Sequence, residues 1–169
     1  IENQEQPFHP IYNYAVVTDA IEGLILVDVN TLADGDPLNN FLERAVTWNE
    51  NNVLAGARHI TLGGRFAYVA ADAGMVIVDL QDPLHPKLAS VVPLPGARAS
   101  ALQFRYLFAL DGSGFTAIDI TDPYRPRHVT SARVPLADAK RLYLARTFAY
   151  VAAGKEGLAI VDIERPEMP

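Results

Sequence analysis

Gly74-Met-Val-Ile-Val-Asp79 decides the fold, because three other segments repeat its pattern. They are Gly23-Leu-Ile-Leu-Val-Asp28, Gly114-Phe-Thr-Ala-Ile-Asp119 and Gly157-Leu-Ala-Ile-Val-Asp162. Each is a glycine, four mostly apolar residues and an aspartate, a short apolar run bounded by turn formers, as expected of a buried strand. The aspartates lie 51, 40 and 43 residues apart, a period that points to a repeat architecture.

The likeness extends both ways. Upstream stand Asn13-Tyr-Ala-Val-Val-Thr18, Arg65-Phe-Ala-Tyr-Val-Ala70, Arg105-Tyr-Leu-Phe-Ala-Leu110 and Thr147-Phe-Ala-Tyr-Val-Ala152. Further upstream, a basic residue precedes a leucine by four positions at Arg58/Leu62, Arg98/Leu102 and Lys140/Leu144. Downstream, Pro-x-x-Pro recurs at Pro83/Pro86, Pro123/Pro126 and Pro166/Pro169. The long first interval comes from extra residues around the Asp36-Pro37 turn, where insertions are tolerated.

Each unit reads as four short strands, predicted in the second unit over Arg58–Leu62, Phe66–Ala71, Met75–Leu80 and Lys87–Val92. The breaks fall at Gly63-Gly64, Asp72-Ala-Gly74 and Asp82-Pro-Leu-His-Pro86, and no stretch keeps a helical period. Phe66 and Tyr68 share one strand face, Ala67 and Val69 the other. A four-stranded sheet of this size cannot bury both faces alone; copies stacked around an axis can. The expected fold is therefore an all-β propeller of roughly forty-residue blades. The rival architecture is a linear β-solenoid or a sandwich. The units span about 13–53, 54–94, 95–136 and 137–169, after an irregular segment over 1–12.

These residues resemble the LVIVD-repeat family, named for the third strand: Leu24-Ile-Leu-Val-Asp28 and Met75-Val-Ile-Val-Asp79 match it closely, as does Ala-Tyr-Val-Ala in the strand before. The resemblance runs from Asn13 to Pro169, with departures at Phe115-Thr-Ala-Ile118, at Arg165-Pro and in the irregular first unit. It implies a β-propeller, exported or at the cell surface, without shared catalytic residues.

The fourth strand of the last unit is due at Pro169, and Pro7-Phe-His-Pro10 stands where the innermost strand of the first unit is due. Prolines make that a poor strand. Two full units flanked by two incomplete ones suggest a stretch of a longer propeller, whose isolated chain is expected to associate through exposed blade faces. The alternative is a four-bladed ring that the N-terminal segment closes by supplying the missing strand, which would be a monomer.

Half of the 169 residues are hydrophobic and the net charge is −6, with no basic cluster of the kind that neutralises nucleic-acid phosphates. No apolar run is long enough to cross a bilayer. The chain has no cysteine, which excludes disulfides, thiolate metal sites and cysteine nucleophiles.

Candidate sites are few. Arg58, Arg98 and Lys140 open the first strands, so a propeller places them as a partial basic ring at the channel mouth, near Asp19, Glu22, Asp72, Asp111, Lys155 and Glu156. They form an anion or acidic-partner site, or they pair with loop acids and tie blades together. Asp34 and Asp36, with Asn30 and Asn39, offer calcium-type oxygens but lack the EF-hand spacing, so a polar turn competes. His9, His59, His85 and His128 have no partner at ligand spacing. Ser113 lies in a turn rather than in Gly-x-Ser-x-Gly. Trp48 and Phe41 either cover the blade rim or anchor a partner.

The leading expectation is a non-catalytic binding or scaffolding propeller outside the cytoplasm, with no cofactor, whose partner is a protein or the remaining blades. One alternative is a propeller hydrolase or lyase with its site in the channel; another is an accessory subunit of a membrane or electron-transfer complex.

Overall fold

The computed structural model describes residues 9–32 and 34–169. Among them are 14 strands in four antiparallel sheets, and no α-helix. Sheet 1 holds β1 (Tyr14–Asp19), β2 (Gly23–Asp28) and β3 (Glu43–Trp48). Sheet 2 holds β4 (His59–Gly63), β5 (Phe66–Ala71), β6 (Gly74–Asp79) and β7 (Lys87–Val92). Sheet 3 holds β8 (Ala99–Gln103), β9 (Tyr106–Asp111), β10 (Gly114–Asp119) and β11 (Arg127–Pro135). Sheet 4 holds β12 (Arg141–Ala145), β13 (Phe148–Ala152) and β14 (Leu158–Asp162). Strand order follows chain order in every sheet.

The repeat is a register. Tyr14 faces Asp28 across the strands, as Phe66 faces Asp79, Tyr106 faces Asp119 and Phe148 faces Asp162. Each aspartate ends its strand by accepting the amide two residues on, at Asn30, Gln81, Thr121 and Glu164. A short carboxylate that turns the chain this way stops the strand where the connection must begin. The pairing to the fourth strand slips at the same level in sheets 1 and 2, between Leu26 and Val27 and between Ile77 and Val78, and slightly earlier in sheet 3, between Phe115 and Ala117. Such bulges increase the twist of the outer strand.

The sequence-based strands of the second unit agree with β4 to β7 to within a residue. The first unit differs. Its first strand, β1, occupies the place of a second strand, because Pro10–Asn13 form a 3-10 turn rather than a strand. Pro7 and Phe8 of the proline pair lie outside the described residues, as does most of the 1–12 segment. Among the described residues the last sheet has no fourth strand.

Three apolar layers hold the sheets together. Val16, Leu24 and Trp48 of sheet 1 meet Ala67, Val69, Val76 and Val78 of sheet 2. Tyr68, Met75 and Ile77 of sheet 2 meet Leu107, Ala109 and Ile118 of sheet 3. Phe108, Leu110 and Phe115 of sheet 3 meet Ala149, Val151 and Val161 of sheet 4. Long and aromatic side chains point onward and small or β-branched ones back, so neighbours interdigitate at interior density. The close approaches run through first strands, β4 to β8 and β8 to β12, and no pair of outer strands comes comparably near among the described residues. The sheets fan out from a common inner edge. That is a propeller-like arrangement, and a two-layer sandwich would need only one of these three layers.

Gly74 makes the tight β5–β6 turn at φ +121°, and a Cβ there would lie 2.3 Å from the Val92 carbonyl oxygen and 2.6 Å from the Leu94 amide. Gly157, its counterpart in sheet 4, has φ +75° with open space around it. Urea unfolding should therefore separate the two: Gly74→Ala should lose at least about 2 kcal/mol through backbone overlap, and Gly157→Ala about 1 kcal/mol through φ strain alone.

Candidate functional site

The basic residues that open the first strands do converge. Arg58, Arg98, Lys140, Arg141 and Asp138 line one cavity of about 590 Å³. Arg58 precedes β4, Arg98 precedes β8, and Lys140 and Arg141 lead into β12, so the fan of first strands brings the four cations to one end. Backbone bonds at that end repeat too: the amides of Arg58, Arg98 and Lys140 donate to the carbonyls of Ala70, Leu110 and Ala152.

Most of this charge is paired. Arg58 bonds the Asp72 carboxylate and donates from Nε to the Gly56 carbonyl at 2.7 Å. Arg98 Nη1 reaches Asp138 Oδ1 at 3.0 Å and the Ala139 carbonyl at 3.1 Å. Lys140 Nζ lies 3.1 Å from the other Asp138 oxygen. Asp138 thus holds sheet 3 to the loop that starts sheet 4, and the Lys140 and then the Arg98 hydrogen bonds keep its carboxyl below the usual range. Arg141 differs: its guanidinium donates only to the carbonyls of Lys140, at 3.2 Å, and Arg98, at 3.5 Å. Four cations share two carboxylates, and the rim keeps a positive excess.

Arg141 and Asp138 escaped the sequence reading. Arg141 follows Lys140 directly and has no basic equivalent in the other units, and Asp138 sits at φ +55° in a loop whose reach is a tertiary matter. Of the neighbouring acids, Asp72 joins Arg58, whereas Asp111 takes Arg133 at 2.9 Å and Glu22 takes Arg44.

The other candidates resolve into local structure. Asp34 accepts the Asp36 amide at 2.9 Å and the Asn39 side-chain amide at 2.7 Å, while Asp36 accepts the Leu38 amide at 2.9 Å. The Asp36 amide, first among these, lowers the Asp34 carboxyl's pKa. Both carboxylates cap a polar turn, and the described residues contain no group of three or more His, Cys, Asp or Glu able to hold a metal. Ser113 is tied to Asp111 through its amide, at 2.7 Å, and its hydroxyl, at 2.9 Å. His59 stands 2.9 Å from the Ser100 carbonyl between sheets 2 and 3, and burial, with Arg141 adding, pushes its pKa down. His85 bonds Asp82 at 2.8 Å and His128 the Pro93 carbonyl at 3.0 Å, while His9 accepts the Ile11 amide. Trp48 packs into the layer between sheets 1 and 2, and Phe41 is exposed. A second polar cavity of about 420 Å³, lined by Arg105, Asp119, Thr121, Asp122, Arg125 and Arg127, gave no sequence signal because its residues occupy ordinary turn positions.

Because its folded pKa is lowered, Asp138 contributes stability that is present above its ordinary value of 3.8 and is lost as pH falls through the folded value. Melting temperatures of D138N should accordingly fall less steeply than those of the unaltered chain below about pH 4. Above that range, the loss from charging His59 on acidification from its ordinary value of 6.5 should be the same in both.

The LVIVD repeat model matches residues 56–92 and 137–168, which are sheet 2 with its entry turn and sheet 4. No curated protein is significantly similar to the chain. Among solved structures, a protein of unknown function from Desulfotomaculum acetoxidans superposes with a TM-score of 0.67 at 14% identity, over 92% of this chain and 50% of that one. The chain thus spans about half the length of that protein. The computationally designed protein Ika4 superposes with a TM-score of 0.60 at 10% identity, over 89% of this chain and 86% of that one. These two likenesses concern the fold alone. The second and fourth units thus match the LVIVD repeat, and the other two share their register.

Proposed function

We propose that the chain is a non-catalytic β-propeller module for binding or assembly, working outside the cytoplasm. One observation carries the reading: the titratable groups that meet at the strand-one end are joined to one another or to backbone in structural contacts. Arg58 with Asp72, and Asp138 with Arg98 and Lys140, leave no acid–base pair poised toward a substrate. The cations Arg58, Arg98 and Lys140 stand at one position that recurs from unit to unit, as structural residues of a repeat do. The extracytoplasmic setting follows from the family resemblance, and no helix of the described residues is long and apolar enough to cross a membrane. A panel of ester, glycoside, phosphate and uronate substrates should show no turnover that depends on Arg98 or Asp138. Turnover abolished by D138N with the fold intact would replace this reading with the channel enzyme.

The excess of cations over carboxylates at the cavity favours an acidic group as what the module engages there. A poly-glutamate peptide should bind at low ionic strength, weaken with salt, and lose about tenfold in affinity on Arg141→Glu, a change that breaks no ion pair. Binding that is absent at low salt, or indifferent to R141E, removes the acidic partner from the proposal.

A further inference from the structure

Two register positions behave alike in three sheets and differently in the fourth. Leu24 and Leu26, Met75 and Ile77, and Phe115 and Ala117 are wholly buried. Their counterparts in sheet 4, Leu158 and Ile160, are 64% and 60% exposed. Tyr143 pairs across the strands with Tyr150, and Tyr150 with Ile160, so one sheet face presents Tyr143, Phe148, Tyr150, Leu158 and Ile160. Tyr143 itself is 70% exposed. This is the onward face, which in sheets 1, 2 and 3 receives the next sheet.

The complementary face stands at the other end of the same molecule. Ala67 and Val69, Leu107 and Ala109, and Ala149 and Val151 are the small backward-pointing residues, all wholly buried. In sheet 1 the same positions are Ala15 and Val17; Ala15 is exposed and Val17 is 45% exposed. Ile25 and Val27 complete that face and are better covered, while Arg44 crosses it to Thr47 and Glu22. Among the described residues the sheet 4 face is open and the sheet 1 face is open at Ala15 and Val17, and each has the chemistry that the other's position in the repeat requires.

A third element recurs at two of the three interfaces, between sheets 2 and 3 and between sheets 3 and 4. The turn after the third strand of one sheet rests on the rim of the sheet before it. Tyr124, in Asp122-Pro123-Tyr124, lies edge-on to Phe66 at 5.8 Å and bonds Asp79. Glu167, one unit later, bonds Tyr106 and pairs with Arg105 at 3.4 Å. The corresponding residue of the first unit is Leu38, in Asp36-Pro37-Leu38, and it is 89% exposed. The corresponding rim of sheet 4 is Phe148 beside Asp162.

We infer that the onward face of sheet 4 is a docking surface for sheet 1 of a second copy of this chain, joined head to tail. Ala15, Val17, Ile25 and Val27 of one copy cover Tyr150, Leu158 and Ile160 of the other, and Leu38 closes over Phe148. The contact is heterologous, so two copies joined reciprocally close a ring of eight sheets, and failure to close extends the assembly instead. Either way the wet apolar face of sheet 4 becomes an interior layer like the three already present.

The test is the mass in solution of the chain and of two variants at exposed positions, Ile160→Lys on sheet 4 and Val17→Lys on sheet 1, each checked for an unchanged circular dichroism spectrum. The unaltered chain should run in multiples of its 18.4 kDa monomer at micromolar concentration. Each variant alone should weaken association by about tenfold or more, because a lysine is buried without a partner. An equimolar mixture should recover a one-to-one heterodimer, because V17K keeps its sheet 4 face and I160K keeps its sheet 1 face. A monomer of the unaltered chain, an assembly indifferent to V17K, or a mixture that stays monomeric would each overturn the head-to-tail contact. Sheet 4 pairing with itself gives the second of these results, with V17K dimers persisting in the mixture. None of these readouts involves the basic cavity, so the acidic-partner proposal stands or falls separately.

Discussion

Every sheet in this chain has two apolar faces, and a forty-residue unit has no means of covering both. The rest of the structure follows from that shortage. Burial of apolar area at roughly 25 cal/mol per Å² is the main favourable term for a small β unit, so each sheet gains most of its stability from a neighbour. The neighbour must bring the opposite relief. Large onward residues such as Phe108 and Phe115 meet small backward residues such as Ala149 and Val151 in one apolar layer.

The same packing sets where function can reside. Stacking the sheets through their first strands gathers the residues that precede those strands, which is why Arg58, Arg98, Lys140 and Arg141 share a cavity although more than eighty positions separate the first from the last. Like charges so gathered need carboxylates, and the loops supply Asp72 and Asp138. Asp138 is the more consequential of the two, since it joins a cation at the start of sheet 3 to one at the start of sheet 4. A constellation held in mutual pairs is suited to holding blades in place and to meeting a partner by charge. It is poorly suited to moving protons.

Interfaces between sheets are only partly apolar. Polar bonds run along their edges: Thr61 to the Ser100 carbonyl at 3.0 Å, Ser90 to the Pro123 carbonyl at 2.7 Å, and Gln103 to the Arg146 carbonyl at 2.7 Å. Hydrogen bonds of this kind fix the angle and height of one sheet against the next, which hydrophobic contact alone leaves loose. The bonds use backbone carbonyls, which every unit has.

Much of this could be read without coordinates. The Gly-(apolar)4-Asp motif located the third strand of all four units, because aspartate stands where the strand must stop and, in the first three units, glycine where a following carbonyl presses close. The alternation of Phe66 and Tyr68 with Ala67 and Val69 told which face was bulky. Arg58, Arg98 and Lys140 were visible as a set because each stands at the same place in its repeat. Asp138, Arg141 and the cavity at Arg105 and Arg127 were not visible, since they lie in loops whose paths depend on neighbouring sheets. Nor could the period show that Leu158 and Ile160 stay wet while Met75 and Ile77 are dry: local sequence sets which way a side chain points from its strand, and only the stacking of whole sheets decides what it meets there.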